Sequence, residues 1–247
     1  MLKMVGLWPP DEDLYSFNFY TLYAFSSSAI FQIGHIFFQS ANLYFVMDDL
    51  QSVTGTIFIL LTEFAVALKT YCLMKNMKTL KQLMVTINCD LFQPKSLEQR
   101  KLIQPNLTTW QVTVSAYWVC AFGCLFFWSL FPIFDKSVKN YRLPFLAWYP
   151  YNYKTSPQYE FTYLYQVLAI CFIAMVNVNI DSLIGALNMY IAAQFGLLCD
   201  DLRNLHGGEE ISLDINKKLK NCFLHHREIL KFADSANEYY NWLLFVQ

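Results

Sequence analysis

FTYLYQVLAICFIAMVNVNI, residues 161–180, holds no Asp, Glu, Lys or Arg. About 20 mainly apolar residues, rising 1.5 Å each, cross the roughly 30 Å hydrocarbon core of a bilayer. The segment therefore predicts a membrane-spanning helix. Three further candidates precede it. Trp110–Phe134 is charge-free, and no charged residue stands between Leu14 and Met47, where a helix fits at Phe19–Gln39. Val53–Met74 is apolar but interrupted by Glu63 and Lys69.

Composition agrees. Apolar residues make up 55% of the 247 and charged residues 15%, against roughly 25% charged in a soluble domain. The 22 Phe, 16 Tyr and 6 Trp add apolar bulk that needs lipid around it. A net charge of −1 leaves no basic field for nucleic acid. The seven cysteines have no metal-ligand spacing, and Cys120 and Cys124 read as packing or lipid-facing residues. The start reaches Trp8-Pro9-Pro10 and three acids before any apolar core develops, unlike a signal peptide.

Downstream of the quoted stretch, no proline occurs from Tyr159 to Leu205. An unbroken helix there would be about 70 Å long and project into the cytoplasm, unless it breaks near Gly185 or Gly196. Gly207-Gly208 is a natural stop and Ser212 a fresh N-cap. Ile215, Leu219, Cys222, Ile229, Ala233 and Ala236 then recur at helical spacing, an amphipathic helix expected to pack on its predecessor. Tyr239, Tyr240 and Trp242 resemble an interfacial belt opening a fifth crossing. The residues from Tyr239 to Gln247 are too few to span, so the chain is expected to be the front of a longer protein. The expected fold class is all-α, a partial polytopic bundle in one domain. Its helices are expected at about 19–39, 53–74, 110–134, 159–205 and 212–247.

Charge sets the orientation. With four crossings, residues 1–18, 75–109 and 199–238 share a side and carry thirteen cations, Lys3, Lys78 and Arg203 among them. The opposite side carries four: Lys136, Lys139, Arg142 and Lys154. Positive charge marks the cytoplasm, so the N-terminus is expected inside. The sequon at Asn106 would then face the cytoplasm and carry no sugar. On the outer side, Pro144, Pro150 and Pro157 forbid a regular helix, while Trp148, Tyr149 and Tyr151 give the loop apolar bulk. Such a loop is expected to fold over the bundle as a lid.

Four stretches, in order, resemble the insect odorant receptor family: KMVGLWPP from Lys3, LPFLAWYPYNYKTSPQYEFTYLYQ from Leu143, DSLIGALNMYIAAQFGLLCDDLRNL from Asp181 and HHREILKFADSANEYY from His225. The resemblance covers essentially the whole chain. It implies a seven-helix receptor with a cytoplasmic N-terminus in the plasma membrane of olfactory sensory neurons. It implies assembly with a shared co-receptor, as a hetero-oligomer of tetrameric kind, into an odorant-gated cation channel. It also implies a pocket for a small volatile organic ligand in the outer half of helices two, three, four and six. The helices from the sixth on lie beyond this sequence.

Ligands of that kind bind by apolar burial with a few polar groups for orientation. The candidates are Thr56 and Phe58 on the second helix, Phe122, Phe126, Phe127, Trp128 and Phe131 on the third, and Tyr163 and Gln166 on the fourth. Each has ordinary packing or lipid contact as the plainer reading. Glu63 sits near mid-membrane, where charge is costly; it lines a wet cavity or is hydrogen-bonded between helices, the latter favoured. Lys69, near the inner end, is expected to snorkel, and His35 to be a satisfied packing histidine. Asn177, Asn179, Asp181 and Asn188 suit bridging between helices.

No catalytic set and no cofactor or metal site emerges. His225-His226 lacks companion clusters for a His-box iron site, and Asp200-Asp201 reads as a solvated helix end. A G-protein-coupled receptor would place its N-terminus outside and carry an acidic-Arg-aromatic triplet after its third helix, which this chain lacks. A gustatory-type receptor and a non-conducting shortened product remain the alternatives.

Overall fold

A computed structural model describes residues 2–9, 18–206 and 212–245, and among them every regular element is helical. The Gly207-Gly208 stop and the stretch from Pro10 to Phe17 lie outside the described residues, as do the side chains of Ser212 and Trp242. The chain forms two compact units. One takes in the chain up to Met74 together with Tyr117–Ile180, the other Lys75–Ala116 and Asp181–Phe245.

The first unit opens with a strap, residues 2–9, laid on the first helix. Gly6 has φ +75°, and a Cβ there would come within 2.7 Å of Ala24, so glycine alone lets the strap lie this close. Tyr20 and Tyr23 donate to the carbonyls of Lys3 and Met4 at 3.1 and 2.6 Å. Helix α1 (Phe19–Ser27) starts at Asn18, whose side chain accepts from the Thr21 amide at 2.8 Å. It passes through a π-helical segment, Ser28–Ile33, into α2 (Gly34–Phe45). The wide π turn leaves the Ile30 carbonyl to accept from Tyr165 Oη at 2.8 Å.

Helix α3 (Leu50–Lys75) is capped by Asp49, which accepts from the Gln51 amide at 3.1 Å and the Ser52 hydroxyl at 2.5 Å. The Ser52 bond holds the Asp49 carboxyl below the usual range. Helices α3, α5 (Leu97–Phe134) and α6 (Gln158–Arg203) are each long and apolar enough to cross a membrane. Only 6% of the apolar window of α5 is buried, a surface suited to lipid or to further helices rather than water. Helix α6 runs through Gly185 and Gly196 without a break.

Two charges within α3 are buried. Glu63, 1% exposed, lies 3.0 Å from His35 Nδ1 and accepts from Gln39 Nε2 at 3.0 Å. His35 and Gln39 are four apart, so α2 presents both on one face. Helix α2 runs past Gln39 to Phe45, where the Val46 amide closes its last turn on the Asn42 carbonyl. Lys69 does not snorkel. It is 3% exposed and its ammonium donates to Asn177 Oδ1 at 3.1 Å, while Asn177 Nδ2 donates to Tyr117 Oη at 3.2 Å. Gln32 donates to Thr70, the residue after Lys69 on α3, at 3.2 Å. Truncating one member of such a buried pair leaves the other uncompensated, at about 3–5 kcal/mol. Glu63→Ala is expected to lower stability by about that amount, read as a fall in the unfolding temperature of the chain in detergent micelles.

The second unit is built on α4 (Met77–Ile87), the first part of α5, the second part of α6 and α7 (Ser212–Phe245). Met77, Leu80 and Leu83 bury one face of α4. Helix α5 begins well before Trp110. Ser96 Oγ accepts from the Gln99 amide at 3.1 Å and Gln99 Oε1 accepts from the Lys95 amide at 2.9 Å, a near-reciprocal cap that starts the helix at Leu97. Asp200 and Asp201 are not a freely solvated helix end. Gln99 Nε2 donates to both, at 3.3 and 2.6 Å, and Lys95 to Asp201 at 3.1 Å.

Helices α6 and α7 meet through His225, 3% exposed. Gln194 Nε2 donates to the Phe92 carbonyl at 2.9 Å, which leaves Gln194 Oε1 to accept from His225 Nε2 at 3.0 Å. The proton is thereby assigned to Nε2, and Nδ1 is buried with no hydrogen-bond partner among the described residues. Burial, then the nearby Lys95 ammonium, lowers the His225 pKa, Asp201 opposing. The unfolded chain takes up this proton more readily, so the stability from neutral His225 is complete above about pH 6.5 and is lost as pH falls toward the lower folded value. Hydrogen exchange in α7 is expected to accelerate over that acid range relative to intrinsic rates, and His225→Gln to flatten the dependence.

Candidate functional site

The segment joining α5 to α6 follows the first unit's helices instead of extending from them. The Trp148 amide donates to the Phe38 carbonyl at 3.0 Å, and Trp148 stacks on Phe45 at 5.3 Å. Leu143, Ala147, Tyr149 and Tyr159 form a buried cluster with Phe38 beside it. Gln166 is fully buried and fixes the path. Its Oε1 accepts from the Phe145 amide at 3.1 Å, and its Nε2 donates to the Phe145 carbonyl at 2.9 Å and to Tyr149 Oη at 3.2 Å. One side-chain amide thus satisfies both backbone groups of a residue that has no sheet or helix partner. Tyr151, further along, shares a hydrogen bond with Thr162 at 2.8 Å. Burial pushes the Tyr149 phenol up, consistent with a neutral donor and acceptor in the cluster.

Two cavities flank the outer part of α5. The first, about 980 Å³, is lined by Thr56, Phe58, Phe127 and Phe131, with Trp128 and the loop residues Arg142–Leu146 completing its wall. Trp128 stacks on Phe145 at 5.7 Å, joining helix to loop. Its polar groups are few. The Thr56 hydroxyl donates to the Ser52 carbonyl at 2.8 Å, and Gln39 enters the wall from α2. Arg142 approaches Asp135 at 3.7 Å, and hydrogen bonds from Ser137 hold the Asp135 carboxyl below the usual range. Such a chamber offers dispersion and apolar burial with sparse polar orientation.

The second cavity, about 840 Å³, is lined by Phe122, Phe126 and Tyr163, with Glu160 and Tyr159 also in its wall. Gly123 lines both chambers, and a Cβ there would meet nothing within 4 Å. The residues read as one lining set are thus divided. Thr56, Phe58, Phe127 and Phe131 come together in the first cavity, and Phe122, Phe126 and Tyr163 in the second. Helical geometry separates them, since neighbours on α5 point about 100° apart. Gln166, Trp148, Tyr149 and Tyr151 line neither. Gln166 holds the loop, and the loop residues that face the first cavity are Arg142–Leu146. Gln39 and Leu143–Leu146 were missed in sequence; for Gln39 the signal was its spacing of four from His35.

A family model described as 7tm Odorant receptor matches residues 49–247. Odorant receptor Or1 of Anopheles gambiae is 25% identical over 281 residues, an alignment covering 100% of this chain and 64% of that one. Odorant receptor 46a, isoform A, of Drosophila melanogaster is 22% identical over 243 residues, covering 95% and 61%. The insect olfactory receptor OR5 from Machilis hrabei, solved in complex with eugenol, has the same fold: TM-score 0.81, 16% identity, 99% of this chain and 64% of that one. A second structure of that receptor gives a TM-score of 0.77. The chain thus spans about three-fifths of the length of the curated relatives it matches.

The double bond from Gln166 makes the loop path testable. Gln166→Leu removes a partner from two backbone groups, at about 1–3 kcal/mol. Hydrogen exchange at the Phe145 amide is expected to rise roughly tenfold or more, with the amides inside α6 little changed.

Proposed function

The chain belongs to the 7tm odorant receptor family, and from that premise we propose that it is the ligand-binding part of an odorant receptor subunit, taking small volatile apolar molecules into the cavity beside Thr56, Phe58, Phe127 and Phe131. The observation that carries this reading is the cavity itself. At about 980 Å³ it stands at the upper end of ordinary small-molecule sites, and its wall is almost wholly apolar. Eugenol, bound by the Machilis receptor of the same fold, is a ligand of this small, largely apolar class. Assembled with the shared co-receptor in the plasma membrane of sensory neurons, the subunit gates a cation current when the cavity fills.

In this reading the loop is a fixed cover, not a hinged lid. Trp148, Tyr149 and Tyr151 fasten it, and Arg142–Leu146 shape the ligand's outer boundary. Phe127 and Phe131 are one turn apart on α5 and supply the main apolar contact. Thr56 and Gln39 supply the polar edge.

The test is expression of the receptor with its co-receptor and recording of odorant-evoked current. Phe127→Ala and Phe131→Ala are each expected to raise the ligand concentration for half-maximal current roughly tenfold, the loss of about 1.4 kcal/mol of contact. Silence of the unaltered receptor toward a broad panel of volatiles, with delivery to the cell surface verified, would overturn the reading.

A further inference from the structure

The second cavity differs from the first in the character of its one charged group. Glu160 lies in the first turn of α6, is exposed, and lines this chamber. Its carboxylate forms no hydrogen bond or ion pair among the described residues. No cationic side chain lines the chamber, and apart from Ser129 its other walls are apolar or aromatic, Phe122, Phe126 and Val167 among them.

The two tyrosines beside Glu160 have their hydroxyls committed. Tyr159 Oη donates to the Arg142 carbonyl at 2.6 Å, and Tyr163 Oη donates to the Ser129 carbonyl. Tyr159, 5% exposed, is packed into the loop cluster and holds Tyr163 in place, while the half-buried Tyr163 is the ring that retains surface for an occupant. Their rings meet at 5.8 Å and 63°, and Tyr141 meets Tyr159 at 5.4 Å. Tyrosine rings attract cations through the ring quadrupole, and ammonium groups are the cations such groupings recognise. A carboxylate beside electron-rich rings, opening on an apolar chamber, is complementary to a positive head carrying an apolar tail.

We propose that the second cavity binds organic ammonium compounds with an alkyl tail. The ammonium lies by Glu160 and the ring of Tyr163, and the tail runs along Phe122 and Phe126. Glu160 also stands where an acid favours the helix dipole, which explains its tolerance there but not its place in a cavity wall. This site is separate from the one proposed above and does not depend on it.

The test uses the full chain in nanodiscs of zwitterionic lipid, with hexyltrimethylammonium as probe and neutral 1-nonanol as its counterpart of similar size, both measured by equilibrium dialysis against empty nanodiscs. The ammonium is expected to bind roughly tenfold tighter than the alcohol. Raised salt is expected to narrow that gap. Glu160→Gln removes the preference and leaves alcohol binding in place, which also reports that the variant is folded. Val167→Trp, filling the chamber, weakens both probes. Equal binding of the two probes to the unaltered chain overturns the proposal. So does a preference that survives Glu160→Gln, since the cation would then be held elsewhere.

Discussion

The carboxylate of Glu63 constrains the first unit more than any other group. A charge inside an apolar helix is tolerated only where partners meet it, and His35 and Gln39 meet it from α2. Their spacing fixes which face of α2 turns to α3. That face having been set, Phe38 is placed to accept the Trp148 amide and to pack on Tyr149 at 4.7 Å. The loop is thereby drawn across the outer ends of the helices, and Leu143–Leu146 come to wall the first cavity. Gln39 touches the carboxylate and the cavity wall alike, so the polar centre of the unit and the proposed ligand chamber share a side chain.

Much of this was legible in sequence because bilayer physics writes in long, simple patterns. Charge-free runs near Trp110–Phe134 and Phe161–Ile180 could be little else than crossings, and the absence of proline after Tyr159 carried through to the unbroken α6. What remained hidden depends on pairings between distant segments. Lys69 near a helix end suggests snorkelling until Asn177 is known to stand opposite it. Gln166 suggests a ligand contact until Phe145 is known to need both of its backbone partners. The start of α5 was readable in principle from Ser96 and Gln99, but the charge-free run that marks the crossing begins only at Trp110. The division of the aromatic set follows from which neighbours face each side of α5, and spacing alone does not reveal that.

The second unit repeats the same logic outside the apolar spans. Its partners are water-compatible groups, Gln194, His225 and Gln99 buried and the aspartate pair of α6 half-buried beside Gln99. Such networks specify a packing more than they strengthen it, since each member is costly when left alone. The chemistry of the two units differs accordingly. The first sets neutral and charged groups among apolar helices, and the second holds a buried histidine against a glutamine between two helices.

Gln166 grips the loop at the backbone of Phe145 and at the Tyr149 hydroxyl, and makes no hydrogen bond to the side chains of Leu143 or Leu146. Leu146 lines the first cavity and is exposed, so its identity is uncoupled from those bonds, whereas Leu143 is packed into the loop cluster and Pro144 fixes its own backbone angle. A substitution at Leu146 would redraw the outer wall of the chamber without disturbing its frame. If the chamber holds the ligand proposed above, its preference then becomes adjustable by a single substitution tried against an unaltered scaffold.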